Sequence, residues 1–433
     1  MAEFAGVSTE GLIPVPSGCP VAHGFNPHDT GAHLDPFPWY RKVREQGPVV
    51  FVPVLGDAGM YAVTRHEEVL EVLRDPVTYS NAEALGTSKP VPAVIREEAG
   101  DENWDLHFDE SMTLLDPPEH TRMRRLQAPT LTPRRVAAYE DDVREIAHAR
   151  IDEFVDRGTA DLAAEFAYRI PNRVIARIMG ADEALADRFV EWTDALIYLR
   201  MTEQSEEDAL RHWRLLLEYD RYIRALVEEH RRDPKDDLTT DLIDARDDDG
   251  GPAMTDEEIV CTTLGFIGAG SETSAVMMLH TMHLLLTHPE QWEEVRADRS
   301  LIPAAIEEGL RLRGPVRGII RVVTADTELA GVPIPKGARV YLHIMSANHD
   351  DDAFERPEAF DIHRADKDQH LGFGKWAHFC IGAPLARLEG RVAIETLIDR
   401  LPGLRLAHDY ERDYGYRDNF LVPLVKALRV EWD

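Results

Sequence analysis

The spacing of apolar and polar residues divides the chain into short strands near its start, a long helical middle and a mixed strand and helix region at its end. The apolar runs 49–54 and 60–63 flank a glycine-containing turn and predict a hairpin. Short strands are predicted again at 319–323 and 339–343. Apolar residues three and four apart predict helices at 138–157, 161–178, 183–200, 206–231 and 382–400.

One predicted helix is much longer than the others. Thr255 and Glu258 form a capping-box pattern, and apolar residues then continue to Leu286 before His288-Pro289 ends the run. The resulting helix of about 33 residues is apolar on nearly all sides, against an average helix of about 11 or 12 residues. We therefore expect it to run through the middle of the molecule. Glycine weakens a helix interior by about 1 kcal/mol, so Gly265, Gly268 and Gly270 predict a local opening of this helix.

The domain organisation follows from where periodicity is missing. Residues 1–36 contain repeated prolines and no apolar period, which predicts an irregular arm. Residues 76–116 predict a long loop with partial helix. Residues 37–433 are predicted to form a single domain.

Composition and charge exclude several classes of function. Acidic residues outnumber basic ones 79 to 48, and the net charge of −31 disfavours nucleic acid and anionic membrane partners. The 3 cysteines are far apart, so neither a zinc ribbon nor a disulfide framework is expected. We find no apolar run long enough to span a bilayer and no secretion signal at the start, so the protein is predicted to be cytoplasmic.

The candidate chemistry is centred on one cysteine. Cys380 stands directly before the predicted helix 382–400, and a helix N-terminus favours the thiolate that ligates a metal or attacks a substrate. Phe373 precedes Cys380 by seven residues and His378 by two, and Gly382 follows it. Taken alone, a lone cysteine is more often a buried core thiol.

This segment resembles the ligand loop of the cytochrome P450 family, FxxGxxxCxG. The resemblance implies that Cys380 is the axial ligand of haem iron, that Phe373 and Gly382 shape the loop, and that His378 contacts a haem propionate. One position departs from the family pattern, because Trp376 stands where glycine is usual. The loop there must either tolerate a side chain or bulge.

A second motif resembles the family's ExxR helix. Glu308 and Arg311 lie three residues apart on one helix face and can pair. In the family this pair is buried and structural, and a third partner comes from an arginine in a PxRF motif. Here Ala359 occupies that arginine position, which leaves Arg356 and Arg364 as candidate replacements.

Two further motifs complete the resemblance. Ala269-Gly270-Ser271-Glu272-Thr273-Ser274 is similar to the family's [AG]Gx[DE]T[TS], which implies that Glu272 and Thr273 deliver protons and that Ala269 lies against the haem. His120 and Arg124 match HxxxR, and Arg321 matches a further propionate arginine. His280 and His283 are interpreted as structural, because no carboxylate or cysteine completes a metal site.

The resemblance implies a mainly α fold with a smaller β-rich region, and haem between the long central helix and the cysteine-ligand helix. It implies a monooxygenase that uses haem b (iron protoporphyrin IX), O2 and electrons from NAD(P)H, delivered by a separate ferredoxin and ferredoxin reductase. An acidic ferredoxin would need a local basic face, for which the candidates are Arg122, Arg125, Lys375, Arg387 and Arg391.

The predicted substrate is a small or medium-sized hydrophobic molecule, aromatic compounds included. The implied pocket residues are Trp104, Phe108, Leu264, Gly265, Gly268, Val316, Ile319 and Phe420.

Three alternative functions remain open at this point. A peroxide-driven peroxygenase of the same fold would usually lack the acid–alcohol pair of Glu272 and Thr273. A haem-thiolate sensor or binding protein without turnover would have little reason to keep that pair. A cysteine-nucleophile enzyme without haem would need a general base beside Cys380, and His378 need not face the thiol.

Overall fold

The computed structural model describes residues 20, 36–53, 59–85, 90–105, 111–201, 204–246, 251, 253–416 and 422–433. Most of the predicted N-terminal arm, the turn of the first hairpin, Phe108 and Phe420 therefore lie outside the described residues. The chain forms two compact units. Unit 1 comprises Met1–Ala84, Leu279–Cys380 and His408–Leu428, and unit 2 comprises Leu85–Met278, Ile381–Ala407 and Arg429–Asp433.

The described residues are mainly helical, with a smaller share of strand. The α-helices are α1 Phe37–Arg44, α2 His66–Arg74, α3 Ala93–Ala99, α4 Glu119–Gln127, α5 Pro133–Ala137, α6 Glu140–Asp152, α7 Ile170–Ile178, α8 Ala186–Met201, α9 Glu206–Arg232, α10 Leu238–Ile243, α11 Asp256–Thr287, α12 Pro289–Ala297, α13 Ile302–Arg313, α14 Ile344–Ala347, α15 Ala383–Arg400 and α16 Tyr410–Asp413. The strands are β1 Val49–Val52, β2 Met60–Val63, β3 Tyr79–Ser80, β4 Thr159–Asp161, β5 Ile319–Val323, β6 Thr327–Leu329, β7 Val332–Ile334, β8 Arg339–Leu342, β9 Arg405–Leu406 and β10 Arg429–Glu431.

Unit 1 is built on a five-stranded sheet with the order β1-β2-β8-β5-β3. The predicted hairpin is present, with Val49 opposite Val63 and Val52 opposite Met60 in antiparallel register. Strand β2 pairs in parallel with β8, and β8 pairs antiparallel with β5. Residues of β1 and β2 are buried throughout, since apolar side chains on both faces are covered. The carbonyl of Pro20 accepts a hydrogen bond from the amide of Phe51 at 2.8 Å, which places this arm residue against β1.

Unit 2 is a helical unit with one small sheet. Helix α15 packs on α5 and α6, α7 packs on α6 and α8, and α8 packs on α9. Strand β10 pairs antiparallel with both β4 and β9. The predicted helix 161–178 is therefore wrong at its start: Asp161 belongs to β4, and the α-helix begins only at Ile170 after a π-helical turn at Ala163–Ala167. The partner strand β10 lies near the C-terminus, so local periodicity could not reveal this pairing.

The long helix α11 confirms the predicted element and corrects one detail. Its 32 residues follow a reciprocal capping box: the Thr255 amide donates to Glu258 Oε2 at 2.9 Å, and the Glu258 amide donates to Thr255 Oγ1 at 3.2 Å. The predicted local opening is absent, because the helix is uninterrupted through Gly270. Packing on most sides of this helix outweighs the low helix propensity of its glycines. Among the described residues α11 alone is long and apolar enough to cross a bilayer, and 67% of its most apolar stretch is buried inside the protein.

Candidate active site

The cysteine loop in unit 1 is closed by its own backbone. The amide of Cys380 donates to the carbonyl of Phe373 at 2.8 Å, and the amide of Gly374 donates to the carbonyl of Leu371 at 2.9 Å. Gly374 has a φ of +67°, a conformation that glycine adopts without steric cost. The Cys380 thiol is in the reduced form and half-buried. The loop therefore presents a reduced, half-buried cysteine from a hydrogen-bonded turn.

Trp376 shows how the loop accommodates its departure from the family pattern. Its φ is +53°, so it keeps the left-handed conformation for which glycine is usual. The side chain is 43% exposed, and the guanidinium of Arg74 lies 4.9 Å from its ring centroid. Of the two predicted alternatives, the structure shows a tolerated side chain: it points outward, where it has room.

His378 and Phe373 are held by neighbours within unit 1. His378 Nε2 lies 2.7 Å from Asn81 Nδ2, so the imidazole has a fixed polar neighbour. The ring of Phe373 packs edge-on against Phe379, with 6.3 Å between the centroids. His370, which begins this segment, lies 2.9 Å from a carboxylate oxygen of Glu307 through its Nε2 atom.

The ExxR pair is fully buried and has a third member. Arg311 donates to both carboxylate oxygens of Glu308 at 2.8 Å, and both side chains are 0% exposed. Arg364 donates from Nε to Glu308 Oε1 at 3.1 Å and is 4% exposed. Arg356 instead pairs with Asp361 and is 67% exposed. Arg364 therefore replaces the arginine that the family has at the position of Ala359.

Arg321 on β5 is buried, with one guanidinium nitrogen donating to the carbonyl of Ile320 at 2.8 Å. In the sheet register it lies opposite Val340 of β8. Ile319 on the same strand packs against the apolar core of the sheet, and Val316 is partly exposed just before it. A buried guanidinium at this place is the kind of group that binds a carboxylate strongly.

A strip of accessible residues follows one face of α11 in unit 2. Gly265, Gly268, Glu272 and Thr273 are half-buried and Ala269 is exposed, whereas the flanking residues of the helix are mostly buried. Their spacing of three and four places them on one face. Thr273 Oγ1 donates to the Ala269 carbonyl at 2.5 Å, which aligns its hydroxyl with the helix. Leu264 is buried and lies outside this strip.

His120 and Arg124 lie one turn apart on α4 in unit 2. His120 is only 2% exposed. Burial, followed by the nearby Arg124 guanidinium, holds the pKa of His120 below its ordinary value, while Asp116 acts in the opposite direction. Near neutral pH the imidazole is therefore neutral and can donate a hydrogen bond to an anion.

Trp104 has a specific hydrogen-bond partner that the sequence did not suggest. Its indole N–H donates to Asp220 Oδ2 on α9 at 3.1 Å, and its ring packs edge-on against Trp213. Asp220 is buried and also accepts from Arg224 at 3.0 Å. The segment that follows α3 is thus attached to α9 at Trp104.

Glu389 on α15 is a buried acid that sequence reasoning missed. It is 2% exposed, and burial raises its pKa to about 8, partly opposed by a hydrogen bond with Ser274 on α11. Its carboxyl group is therefore mainly protonated at neutral pH. A signal existed in the sequence, because residue 389 falls on the apolar face formed by Leu385, Leu388 and Val392.

Two other predictions concern charge and metal binding. His280 Nδ1 lies 2.5 Å from the Arg313 carbonyl, and burial lowers the His280 pKa to about 3, as expected for a structural histidine. No group of three or more potential metal ligands is present among the described residues.

The predicted basic face is weaker than expected, because Arg122 pairs with Glu119 and Glu258, and Arg391 pairs with Glu140 and Glu395.

The residues present have the chemistry of a haem-thiolate site. Unit 1 contains the half-buried thiol of Cys380 and the buried guanidinium of Arg321. Unit 2 contains an accessible strip on α11 with the small residues Gly265, Gly268 and Ala269, and a neutral histidine at position 120. A soft thiolate ligand, a flat apolar face and donors for carboxylates are the groups that haem requires.

Comparison with known proteins agrees with this chemistry. The family model described as Cytochrome P450 matches residues 82–402. The chain is 34% identical to 6-deoxyerythronolide B hydroxylase of Saccharopolyspora erythraea over 93% of this chain and 97% of that protein. It is also 34% identical to nocardicin C N-oxygenase of Nocardia uniformis subsp. tsuyamanensis, over 92% and 96% of the two chains. The solved structure of cytochrome P450 CREJ in complex with (4-ethylphenyl) dihydrogen phosphate is 32% identical, with a TM-score of 0.84 over 95% of this chain and 100% of that chain.

Proposed function

The chain belongs to the cytochrome P450 family of haem-dependent monooxygenases, and from this premise we propose that it inserts one atom of O2 into a small or medium-sized hydrophobic substrate. The observation that carries the proposal is the half-buried thiol of Cys380, presented by a hydrogen-bonded loop. Haem bound through this thiolate supplies the binding and activation of O2.

Within the proposal, the chain's own residues position the cofactor. Cys380 would ligate the haem iron through its thiolate, and Phe373 and Gly382 would shape its loop. Ala269 provides a small side chain on the accessible strip of α11. Four side chains would hold the haem carboxylates by charge-assisted or neutral hydrogen bonds: His120, Arg124, Arg321 and His378.

Proton delivery is assigned to α11. Glu272 and Thr273 are adjacent on the accessible strip and both are half-buried, so a carboxyl group and a hydroxyl occupy neighbouring positions of the helix. The Thr273 hydroxyl donates to the Ala269 carbonyl, so its oxygen would accept a hydrogen bond from, and so position, a water that receives a proton from the Glu272 carboxyl group. A peroxygenase would have no need of this pair, which favours the O2-dependent reaction.

The proposed substrate is hydrophobic, aromatic compounds included. The pocket residues that the family resemblance implies include Gly265 and Gly268 on α11, and Val316 and Ile319 beside and on β5. The ligand in the cytochrome P450 CREJ structure is an aryl phosphate, which is consistent with an aromatic substrate here. Trp104 is a further proposed pocket residue, and because its indole N–H is bonded to Asp220, only its apolar ring atoms would be available to a substrate.

The proposed electron path starts at NAD(P)H and passes through a separate ferredoxin reductase and ferredoxin. The proposed location is the cytoplasm. Relatives that match nearly the whole chain include proteins described as hydroxylases and monooxygenases.

The decisive experiment is the absorption spectrum of the dithionite-reduced, CO-bound protein. We expect a strongly red-shifted Soret band in the wild type, its loss in Cys380→Ser, and its retention in the matched control Cys261→Ser, whose thiol is buried in α11. Wild-type protein without haem, or a band that survives Cys380→Ser, contradicts the proposal. Product formation with ferredoxin, reductase and NADPH but not with peroxide then separates the monooxygenase from a peroxygenase, and haem binding without any product indicates a sensor.

A further inference from the structure

Two glycines of the α11 strip are covered by side chains from other parts of unit 2. A Cβ atom on Gly268 would lie 3.0 Å from the Cγ2 methyl of Thr193 on α8. A Cβ atom on Gly265 would lie 3.4 Å from the hydroxyl oxygen of Ser111. Thr193 and Ser111 are themselves buried, with 6% and 5% of their surface exposed. The space beside each glycine is therefore already filled by a side chain of the protein.

The methyl group of Thr193 is fixed in its direction by the hydroxyl on the same carbon. Thr193 Oγ1 donates to the carbonyl of Phe189, one turn back on α8, at 3.0 Å. A threonine in a helix has few favourable rotamers, and this hydrogen bond selects between them. The hydroxyl oxygen would lie 3.8 Å from a Cβ atom on Gly268, farther away than the methyl group. The methyl group is therefore the part of Thr193 that packs on α11.

Helix α8 is held next to α11 through α9. The hydroxyl of Tyr219 on α9 donates to the carbonyl of Val260 on α11 at 3.0 Å. Trp192 on α8 packs edge-on against the ring of Tyr219, with 5.5 Å between the centroids, and both side chains are buried. The contact between Thr193 and Gly268 thus belongs to a packed arrangement of three helices, which resists a shift of Thr193 away from α11.

The length of strip that stays open follows from helix geometry. At about 1.5 Å per residue, the strip from Gly265 to Thr273 is about 12 Å long. With the positions of Gly265 and Gly268 covered, the exposed Ala269 and the half-buried Glu272 and Thr273 remain. The distance from Ala269 to Thr273 along the helix is about 6 Å, close to the width of one aromatic ring.

We propose that Thr193 and Ser111 are specificity-determining residues that close the α11 strip at Gly268 and Gly265, so that the protein selects compact, single-ring substrates over extended ones. This inference rests on the proposed function and narrows its substrate class. An extended apolar substrate gains affinity only for the carbons that it buries. Beyond Ala269 it must either leave carbons in water or displace the packed methyl group of Thr193.

The test titrates the ferric holoenzyme with N-methylimidazole, N-butylimidazole and N-octylimidazole and follows the shift of the Soret band. The imidazole nitrogen binds the haem iron in each case, so the alkyl chain alone probes the length of the strip. In the wild type we expect N-octylimidazole to bind no more tightly than N-butylimidazole. Thr193→Ser deletes only the methyl group, so N-octylimidazole should bind at least about fourfold more tightly, the gain for one more buried methylene, and N-methylimidazole should be unaffected.

The matched control is Gly270→Ala, because a Cβ atom on this α11 glycine meets nothing within 4 Å. It should leave all three affinities unchanged. Ser111→Ala, added to Thr193→Ser, should tighten N-octylimidazole further, since Gly265 lies one turn beyond Gly268. The absence of this second gain contradicts the role of Ser111.

A measurement without any ligand tests the contact between Thr193 and Gly268. Gly268→Ala should lower the urea midpoint of unfolding, because its side chain presses on the Thr193 methyl group. The double variant Gly268→Ala/Thr193→Ser should regain most of the lost midpoint, because the second substitution removes that methyl group. A double variant that is no more stable than Gly268→Ala contradicts the contact.

The outcomes separate this inference from the proposed function. A wild-type affinity that keeps rising from N-butylimidazole to N-octylimidazole overturns the inference, as does an N-octylimidazole affinity that Thr193→Ser leaves unchanged. A wild type that binds no haem overturns the proposed function instead.

Discussion

The carboxylate of Glu308 is fully buried between two arginines of unit 1. Arg311 binds both of its oxygens and also donates to the carbonyls of Asn348 and Pro357. Arg364 completes the arrangement from a separate segment of chain. Each charge is compensated and each donor used, which is the condition under which a buried ion pair is tolerated.

We expect Arg364→Ala to lower the free energy of unfolding by about 1–3 kcal/mol, because it removes one of the two guanidinium partners of Glu308 and the donor to the Arg356 and Ala359 carbonyls. The matched control is Arg356→Ala, which removes an exposed arginine paired with Asp361 and should cost about 0–1 kcal/mol. Chemical denaturation of both variants measures the difference. Equal losses in the two variants would contradict the assignment of Arg364 as the third partner.

At the scale of elements, glycines in helices have different neighbours, and these decide what each position tolerates. A Cβ atom at Gly270 of α11 would meet nothing within 4 Å, whereas one at Gly309 of α13 would lie 2.6 Å from Thr281 Oγ1. Gly309 therefore permits the close approach of α13 to α11 around Thr281. Gly270 has no such packing reason among the described residues.

We predict that Gly270→Ala raises the free energy of unfolding by up to about 1 kcal/mol, the usual helix-propensity gain. Gly309→Ala should instead lower it by about 1–3 kcal/mol through overpacking against Thr281. Thermal or denaturant unfolding of the two variants, measured without substrate, gives both values. A loss of stability in Gly270→Ala would contradict this prediction, because it would mean that an alanine side chain does not fit at this position.

At the scale of the whole molecule, both compact units are assembled from separated stretches of chain. Unit 1 uses three stretches and unit 2 uses three, and α11 and the segment around Cys380 each contain a boundary between them. Neither unit is thus a continuous piece that could fold as an independent segment. The single domain predicted for 37–433 remains a prediction on this basis.

Cooperative unfolding is the measurable form of that prediction. We expect far-UV circular dichroism and tryptophan fluorescence to report the same transition midpoint in urea. The reason is that the stretches of each unit are joined by chain that belongs to the other unit. The comparison is best made on apoprotein, where haem release does not distort either signal. Two separated midpoints would contradict a single cooperative domain.

The sequence by itself determined the features that depend on local interactions or on short motifs. The span of α11 and its capping box were predictable because apolar periodicity and the Thr255–Glu258 pair act within one helix. The family resemblance and Cys380 were recognisable because their motif is contiguous. Only the tertiary structure decided between Arg356 and Arg364, paired β4 with β10, and gave Trp104 its partner Asp220. Those contacts join residues far apart in the chain, and which distant side chains meet depends on packing that no local pattern encodes.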